Sequence, residues 1–171
     1  LEREPFMDLL DAGCGPAPMI SLLSEKYPER HYTGLDLTPA MIEQAQKKNI
    51  PNATFVVGDC ENFPFEDNSF DSIICSNSFH HYPNPQAFFD SVQRCLRPGG
   101  RLILRDASSN NRLLLWFMDN IEVPLANLCG HGDVKIARRS VIEECCQKAG
   151  LKVESFEIRK GMRMHCVVRK V

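Results

Sequence analysis

Strand-like and helix-like segments alternate along most of this 171-residue chain, and that alternation limits the folds open to it. Short apolar runs indicate strands, and between them apolar residues recur at helical spacing. Five strands alternating with helices favour a mainly parallel sheet with helices on both faces. These five strands are predicted at residues 6–10, 31–36, 54–57, 70–76 and 101–105.

Pro98-Gly99-Gly100 is predicted to break the chain just before the fifth strand, at residue 101, and the regular alternation of strands and helices ends after that strand. Ser140, with Glu143 three residues later, forms a capping box that opens a helix ending at Gly150. Two further strand-like runs, 153–158 and 163–169, flank a tight turn and predict an antiparallel hairpin. We expect a single domain over residues 1–171.

Composition excludes several classes of protein. A net charge of -2 gives no general attraction to nucleic acid, so we expect no such partner. The eight cysteines contain no CxxC pair and no zinc-like spacing, which favours no metal site and a reducing, cytoplasmic location. No apolar run reaches membrane-span length, and no signal peptide is recognisable. Because the sequence begins at Leu1, we expect that an N-terminal helical segment is missing.

Ligands of parallel α/β sheets bind beyond the carboxyl ends of the strands, and a glycine-rich turn follows the first strand here. Gly13 and Gly15 let this turn bend sharply and approach a ligand closely. A dinucleotide fingerprint requires a third glycine where this chain has Pro18, and no Gly-Lys-Ser/Thr of a P-loop follows. Asp11 would repel a pyrophosphate but suits a cation.

Carboxylates end three successive strands, at Asp11, Asp36 and Asp59. Asp36 can accept hydrogen bonds from the two hydroxyls of a ribose, and Asp59 from an adenine amino group. The alternative interpretation is that such residues only form turns. Three of them at one sheet edge favour a ligand that carries an ammonium, a sulfonium, a diol and an exocyclic amine.

Five ordered segments resemble the motifs of class I S-adenosylmethionine-dependent methyltransferases, especially the small-molecule branch with ubiquinone/menaquinone-type C-methyltransferases. They are Leu9-Leu10-Asp11-Ala12-Gly13-Cys14-Gly15, Gly34-Leu35-Asp36-Leu37-Thr38-Pro39-Ala40-Met41, Gly58-Asp59-Cys60, Phe70-Asp71-Ser72-Ile73-Ile74 and Leu96-Arg97-Pro98-Gly99-Gly100. The resemblance implies a Rossmann-like, seven-stranded sheet with an antiparallel C-terminal hairpin.

The same resemblance implies an enzyme that moves a methyl group from S-adenosylmethionine to a small-molecule acceptor, with S-adenosylhomocysteine as the product. Ala17 stands where the family loop has its third small residue, which is a mild departure. The cofactor residues that the resemblance implies are Asp11, Gly13, Cys14, Gly15, Ser76 and Asn77 for the methionine part, Asp36, Leu37 and Met41 for the ribose, and Asp59 and Cys60 for the adenine.

Methyl transfer is an in-line displacement, so a base is needed only where the acceptor must lose a proton. His80 and His81, after the fourth strand, and Asp106, after the fifth, are the candidate catalytic residues. The alternative is that the histidines only cover the cofactor. No Asn/Asp-Pro-Pro-Tyr/Phe sequence follows the fourth strand, which disfavours methylation of amino groups on nucleic-acid bases.

Other interpretations stay open on the sequence. The apolar stretch 113–128 predicts a lid over the acceptor, a homodimer face or an ordinary packed helix. A nicotinamide-dependent oxidoreductase is the main alternative enzyme, and a non-catalytic cofactor-binding protein is a third hypothesis. The acceptor itself is not encoded in these motifs, because one fold serves many chemistries.

Overall fold

A computed structural model of the chain describes residues 4–109, 111–128 and 136–171. Seven strands among these residues join in one sheet. In chain order β1 to β7 are Asp8–Ala12, His31–Asp36, Ala53–Val57, Phe70–Ser76, Leu96–Ala107, Leu151–Arg159 and Arg163–Lys170. They lie side by side in the order β3-β2-β1-β4-β5-β7-β6, the first five parallel and β7 antiparallel to both of its neighbours. The predicted fold class and C-terminal hairpin are confirmed.

The helices pack on both faces of this sheet. In chain order α1 to α6 are Pro18–Lys26, Pro39–Gln46, Pro85–Cys95, Arg112–Phe117, Val123–Leu128 and Arg139–Ala149. Ile20 of α1 and Ile42 of α2 bury against Leu9 on one face. On the other face, Phe88 of α3 and Ile142 of α6 belong to the larger core. Because both faces are covered, successive residues of the central strands are buried, over Leu9–Ala12 in β1 and Ser72–Cys75 in β4.

Strand β1 occupies the switch point of the sheet. The chain passes from β1 to β2 and β3 on one side, and then returns to place β4 on the other side. Asp11 therefore pairs in register with Gly34 of β2 and with Ile74 of β4. Such a reversal opens a crevice beyond the carboxyl ends of the two central strands, where ligands bind.

The predicted start of the fifth strand is wrong. β5 begins at Leu96, and Pro98-Gly99-Gly100 lie inside it, where its register with β4 shifts. A Cβ on Gly100 would lie 2.8 Å from the carbonyl oxygen of Arg97 and 3.0 Å from that of Asp71. The glycine therefore permits a close backbone approach at a bulge rather than ending the strand.

The capping box predicted at Ser140 and Glu143 is also wrong. α6 begins at Arg139, so Ser140 lies inside its first turn, and no side chain among the residues described caps the helix. The Glu143 carboxylate instead accepts a hydrogen bond from Nε of Arg139, 2.7 Å away. The predicted end is confirmed, since Gly150 closes the helix in the left-handed conformation with φ +71°.

The apolar stretch after β5 forms α4 and α5, joined by a π-helical segment over Met118–Glu122. Its large apolar side chains mostly face outward, so the interpretation as an ordinary packed helix is wrong for them. The exposed ones are Leu113, Trp116, Phe117, Ile121, Leu125 and Leu128, whereas Met118 and Val123 are buried. These residues recur about every four positions, so on a regular α-helix with 3.6 residues per turn they would gradually rotate away from a common face. The π-helical segment has more residues per turn and therefore keeps them closer to one face.

No helix among the described residues combines the length and the apolar character needed to cross a membrane.

Candidate functional site

Two adjoining cavities lie at the carboxyl ends of the central strands. The larger cavity encloses about 600 Å³ and the smaller cavity about 230 Å³, and Gly13 and Asn77 line both. Every residue that the sequence assigned to the cofactor lines one or the other. Those of the larger cavity are Gly13, Gly15, Asp36, Leu37, Met41, Asp59, Cys60 and Asn77; those of the smaller are Asp11, Gly13, Cys14, Ser76 and Asn77.

The turn after β1 is folded tightly against its surroundings. The backbone N–H groups of Gly13 and Cys14 both donate to the carbonyl of Leu35, at 2.8 and 3.0 Å. Gly13 has φ +74°, and a Cβ there would lie 1.9 Å from Oγ of Ser78. Only glycine fits this position without displacing the segment after β4. The turn is thus fixed in place before any ligand arrives.

The Asp36 carboxylate links the turn after β1 to the turn after β2. Its Oδ2 accepts a hydrogen bond from the N–H of Gly15 at 2.8 Å, and its Oδ1 accepts one from the N–H of Thr38 at 2.9 Å. Asp59 likewise accepts from the N–H of Glu61 at 2.8 Å. Both residues are therefore turn formers as well as lining residues. An ionised carboxylate has about four acceptor positions, so capacity for a ligand's donors remains.

Asp11 differs from these two acids, because its side chain makes no hydrogen bond or ion pair within the described residues. It is only 3% exposed and faces the smaller cavity. Burial, and next the charge of Asp36, raise the pKa of Asp11 to about 7. A buried carboxylate without a partner is costly when ionised, and a cation placed beside it reverses that cost. This position therefore suits a positively charged ligand group.

The structure joins two of the candidate catalytic residues into a pair. Nδ1 of His80 lies 2.8 Å from Oδ1 of Asp106, and the backbone N–H of His80 donates to Oδ2 at 3.1 Å. The Asp106 carboxylate is buried, and it also accepts from the N–H of Ala107. The pair lines neither cavity. The ring of His81 lies 4.0 Å from that of His80, between centroids, and does line the larger cavity.

Sequence reasoning missed two residues that shape the site. Ser78 lines the larger cavity, and its hydroxyl lies 2.9 Å from the hydroxyl of Tyr82, which also approaches the carbonyl of Ala12. Arg105, near the end of β5, lines the smaller cavity. The sequence did contain a signal for Arg105. Side chains alternate between the two faces of a strand, so Arg105 lies on the face opposite Asp106.

The chain is similar to known methyltransferases. The family model described as methyltransferase domain matches residues 10–104. The phthiotriol/phenolphthiotriol dimycocerosates methyltransferase 1 of Mycobacterium ulcerans (strain Agy99) is 40% identical over 121 residues, which cover 70% of this chain and 45% of that protein. The fatty-acid O-methyltransferase of Mycolicibacterium smegmatis is 35% identical over 121 residues, covering 70% and 44%. The chain thus spans less than half the length of these two relatives.

Among solved structures, the fold resembles a SAM dependent methyltransferase from Aquifex aeolicus, with a TM-score of 0.76 and 19% identity. The alignment covers 96% of this chain and 82% of that one. At this level of identity the likeness concerns the fold alone. It confirms the seven-stranded, Rossmann-like architecture expected from the sequence, and the comparisons give no support to the oxidoreductase alternative.

Proposed function

The chain belongs to the methyltransferase domain family, and from that premise we propose that it transfers a methyl group from S-adenosylmethionine to an oxygen of an apolar, lipid-like acceptor. One observation carries the donor half of this proposal. Asp11, Asp36 and Asp59, from three successive strand ends, line two cavities that share a wall. An acceptor of lipid character is supported by the relative named as a fatty-acid O-methyltransferase.

The residues present fit the donor. In the larger cavity, Asp36 would accept hydrogen bonds from the ribose hydroxyls, and Asp59 and Cys60 would border the adenine, with Leu37 and Met41 as apolar neighbours. In the smaller cavity, Asp11 would hold the ammonium of the amino-acid end, beside Ser76 and Asn77.

When bound, S-adenosylmethionine supplies a methyl group on a positively charged sulfur, which activates that carbon for displacement. The task of the protein is then to hold the acceptor oxygen in line with the methyl group, and orientation alone supplies a large part of the rate. The Gly13 turn fixes one side of this arrangement, because it is tied to Leu35 and packed against Ser78.

A hydroxyl acceptor must lose its proton, and we assign that proton to His81, which lines the larger cavity. His80 and Asp106 act as positioning residues. The buried Asp106 carboxylate holds the His80 ring, and this ring packs against that of His81. An exposed imidazole without such support would sample several rotamers.

A further cavity of about 380 Å³ adjoins the larger one at Tyr82 and Pro83. Most of its lining is apolar, including Phe79, Ile136 and Val141. It offers a place for the hydrocarbon part of an acceptor, since small-molecule pockets are mainly apolar with a few polar groups. The exposed apolar face of α4 and α5 is proposed as an acceptor-covering surface, and a homodimer face is the competing assignment.

A cytoplasmic location is proposed on other grounds. The seven cysteines that the structure describes are buried free thiols. Their side chains fill the apolar core like small hydrophobic residues, as is usual for proteins in reducing compartments.

Calorimetric titration with S-adenosylhomocysteine tests the donor site. Asp36→Ala should weaken binding about tenfold or more, because hydrogen bonds to a charged group are worth roughly 1.5–3 kcal/mol. Asp36→Asn, which keeps one acceptor oxygen, should lose less. Asp90→Ala, on the exposed side of α3, is the matched control. Equal affinity of Asp36→Ala and the wild type would contradict the assignment.

The acceptor class is tested by transfer of a labelled methyl group. Purified protein, labelled S-adenosylmethionine and either a fatty acid or a fatty alcohol should give a labelled product that partitions into organic solvent. Turnover with any acceptor excludes a non-catalytic cofactor-binding protein. Labelling of polar metabolites, with none in the lipid fraction, would overturn the lipid-like acceptor and leave the donor assignment standing.

A further inference from the structure

We propose that Arg105 binds the carboxylate of the cofactor's amino-acid end, opposite Asp11, which makes the smaller cavity a site for a zwitterion. The inference rests on the proposed function, since it concerns the same donor. It assigns a residue from β5 to a site otherwise built from the ends of β1 to β4.

The strand alternation places Arg105 on the correct face of the sheet. Leu104 and Asp106 belong to the face covered by α3 and α6, while Ile103 packs with the core on the α1 side. Arg105 therefore shares the α1 side with Ile103. Its backbone is fixed as well, because it pairs in register with Ser76 and its carbonyl accepts from the N–H of Asn77 at 2.8 Å.

Arg105 lacks the carboxylate partner that neighbouring cations have. On the same face, Arg101 pairs with Glu4 at 2.8 Å, and Arg159 pairs with Glu157 at 3.1 Å. Across residues 4–109, 111–128 and 136–171, the side chain of Arg105 makes no ion pair or hydrogen bond. The side chain is half-buried.

Arg105 also acts on the neighbouring strand β7, where it pairs in register with His165. Burial first, and then the charges of Arg159 and Arg105, lower the pKa of His165, while the charge of Glu157 opposes them. An anion beside Arg105 would meet a guanidinium, which suits carboxylates geometrically by its two-pronged contact.

Within the part of the chain that the structure describes, the smaller cavity thus holds an acid and a cation whose side chains have no bonding partner. Asp11 and Arg105 both line it, and they form no salt bridge together. A ligand group that carries an ammonium and a carboxylate satisfies both at once. Met19 and Leu22 supply an apolar wall for the methylene groups between the charged end and the sulfur.

Two ligands separate this inference from a general effect on binding. S-adenosylhomocysteine carries the amino-acid end, and 5′-methylthioadenosine has the same nucleoside without it. Arg105→Met keeps the length of the stem and removes the charge. It should lower the affinity for S-adenosylhomocysteine about tenfold or more, and leave that for 5′-methylthioadenosine unchanged. Arg105→Lys should fall between the two, because a point charge replaces a planar fork.

Two controls flank this comparison. Asp36→Ala should weaken both ligands, since both contain the ribose. Arg159→Ala removes a paired cation from β6, which β7 separates from β5, and should change neither. Circular dichroism and thermal unfolding of each variant establish that it is folded before the titrations are compared.

The outcomes are distinct. Equal binding of S-adenosylhomocysteine by Arg105→Met and the wild type overturns the inference, and so does an equal loss for both ligands. A wild-type protein that binds neither ligand overturns the proposed function and this inference with it. A wild type that binds both, with a loss confined to S-adenosylhomocysteine in Arg105→Met, supports the zwitterion site.

Discussion

The donor side and the acceptor side of the proposed site are built in opposite ways. On the donor side, short turns are tied to one another by backbone and carboxylate hydrogen bonds, as between Gly15 and Asp36. On the acceptor side, α4 and α5 expose a row of apolar residues, with Leu113 at 80% and Leu128 at 85%. Residues on a surface that contributes little to the core can be substituted with little loss in the free energy of unfolding, whereas residues of the donor-side turns cannot.

The largest expected effect concerns His81, where the two sides meet. His81→Gln should lower kcat about 100- to 10,000-fold with a hydroxyl acceptor, as for loss of a general base. The affinity for S-adenosylhomocysteine should change little. Asp106→Asn, which disturbs the support of His80, should lower kcat by a smaller factor. His31→Gln, on an exposed part of β2, is the control. An unchanged kcat in His81→Gln would remove its role.

The next effect uses Asp11, whose pKa is raised from 3.8 to about 7 by burial and then by Asp36. Between these values the folded chain holds a proton that the unfolded chain has released, so the free energy of unfolding falls as the pH rises. The full effect is on the order of 4 kcal/mol. Asp11→Asn should match the wild type below pH 4 and exceed its stability at pH 8, measured by urea unfolding.

Asp90→Asn provides the matched control for this experiment, because it changes an exposed aspartate. A stability difference between Asp11→Asn and the wild type that stays constant from pH 4 to 8 would contradict the pKa assigned to Asp11. It would also weaken the contrast between the two sides, because ionised Asp11 would then not destabilise the folded donor side.

Two glycines of the same turn give a paired test of its rigidity. Gly13→Ala puts a Cβ 1.9 Å from Oγ and 2.5 Å from Cβ of Ser78, at φ +74°. We expect a loss of about 3 kcal/mol, from overpacking and a left-handed backbone together. Gly15→Ala, at φ +53° with open space around it, should lose about 1 kcal/mol. Urea unfolding measures the free energy of unfolding of both variants. Equal losses would show that Ser78 moves aside at little cost.

The smallest expected effect lies on the acceptor side. Trp116 is 58% exposed, so Trp116→Ala should change the free energy of unfolding by less than about 0.5 kcal/mol. Met118, two residues later and 3% exposed, should cost about 2 kcal/mol or more when replaced by Ala. KM for a lipid acceptor should rise in Trp116→Ala if this face covers the acceptor. A lower KM, or a dimer that dissociates, would favour the homodimer assignment.

The sequence predicted which residues gather at this edge of the sheet, for a physical reason. A strand that ends at a carboxylate is a local pattern, and parallel strands bring their ends together whatever their detailed packing. Asp11, Asp36 and Asp59 therefore converge as expected, and all of the residues predicted for the cofactor line the two cavities.

Other features depend on contacts that no local pattern encodes. The pairing of His80 with Asp106 joins the segment after β4 to the end of β5, and the role of Gly13 depends on where Ser78 lies. Ser140 has the residue spacing of a capping box, yet the helix starts one residue earlier, at Arg139. The exposure of Leu113 could not be predicted either, because an apolar pattern at helical spacing does not show what the apolar face packs against.

The position of β1 in the middle of the sheet has a consequence for folding. Leu9 pairs with Tyr32 on one side, but on the other side with Ser72, which lies much farther along the chain. The crevice at the switch point is therefore completed only when a long loop closes, and such long-range pairings form slowly. A ligand that contacts both Gly13 and Asn77 would bridge the two halves of this late contact, so amide hydrogens of β1 and β4 should exchange more slowly when it is bound.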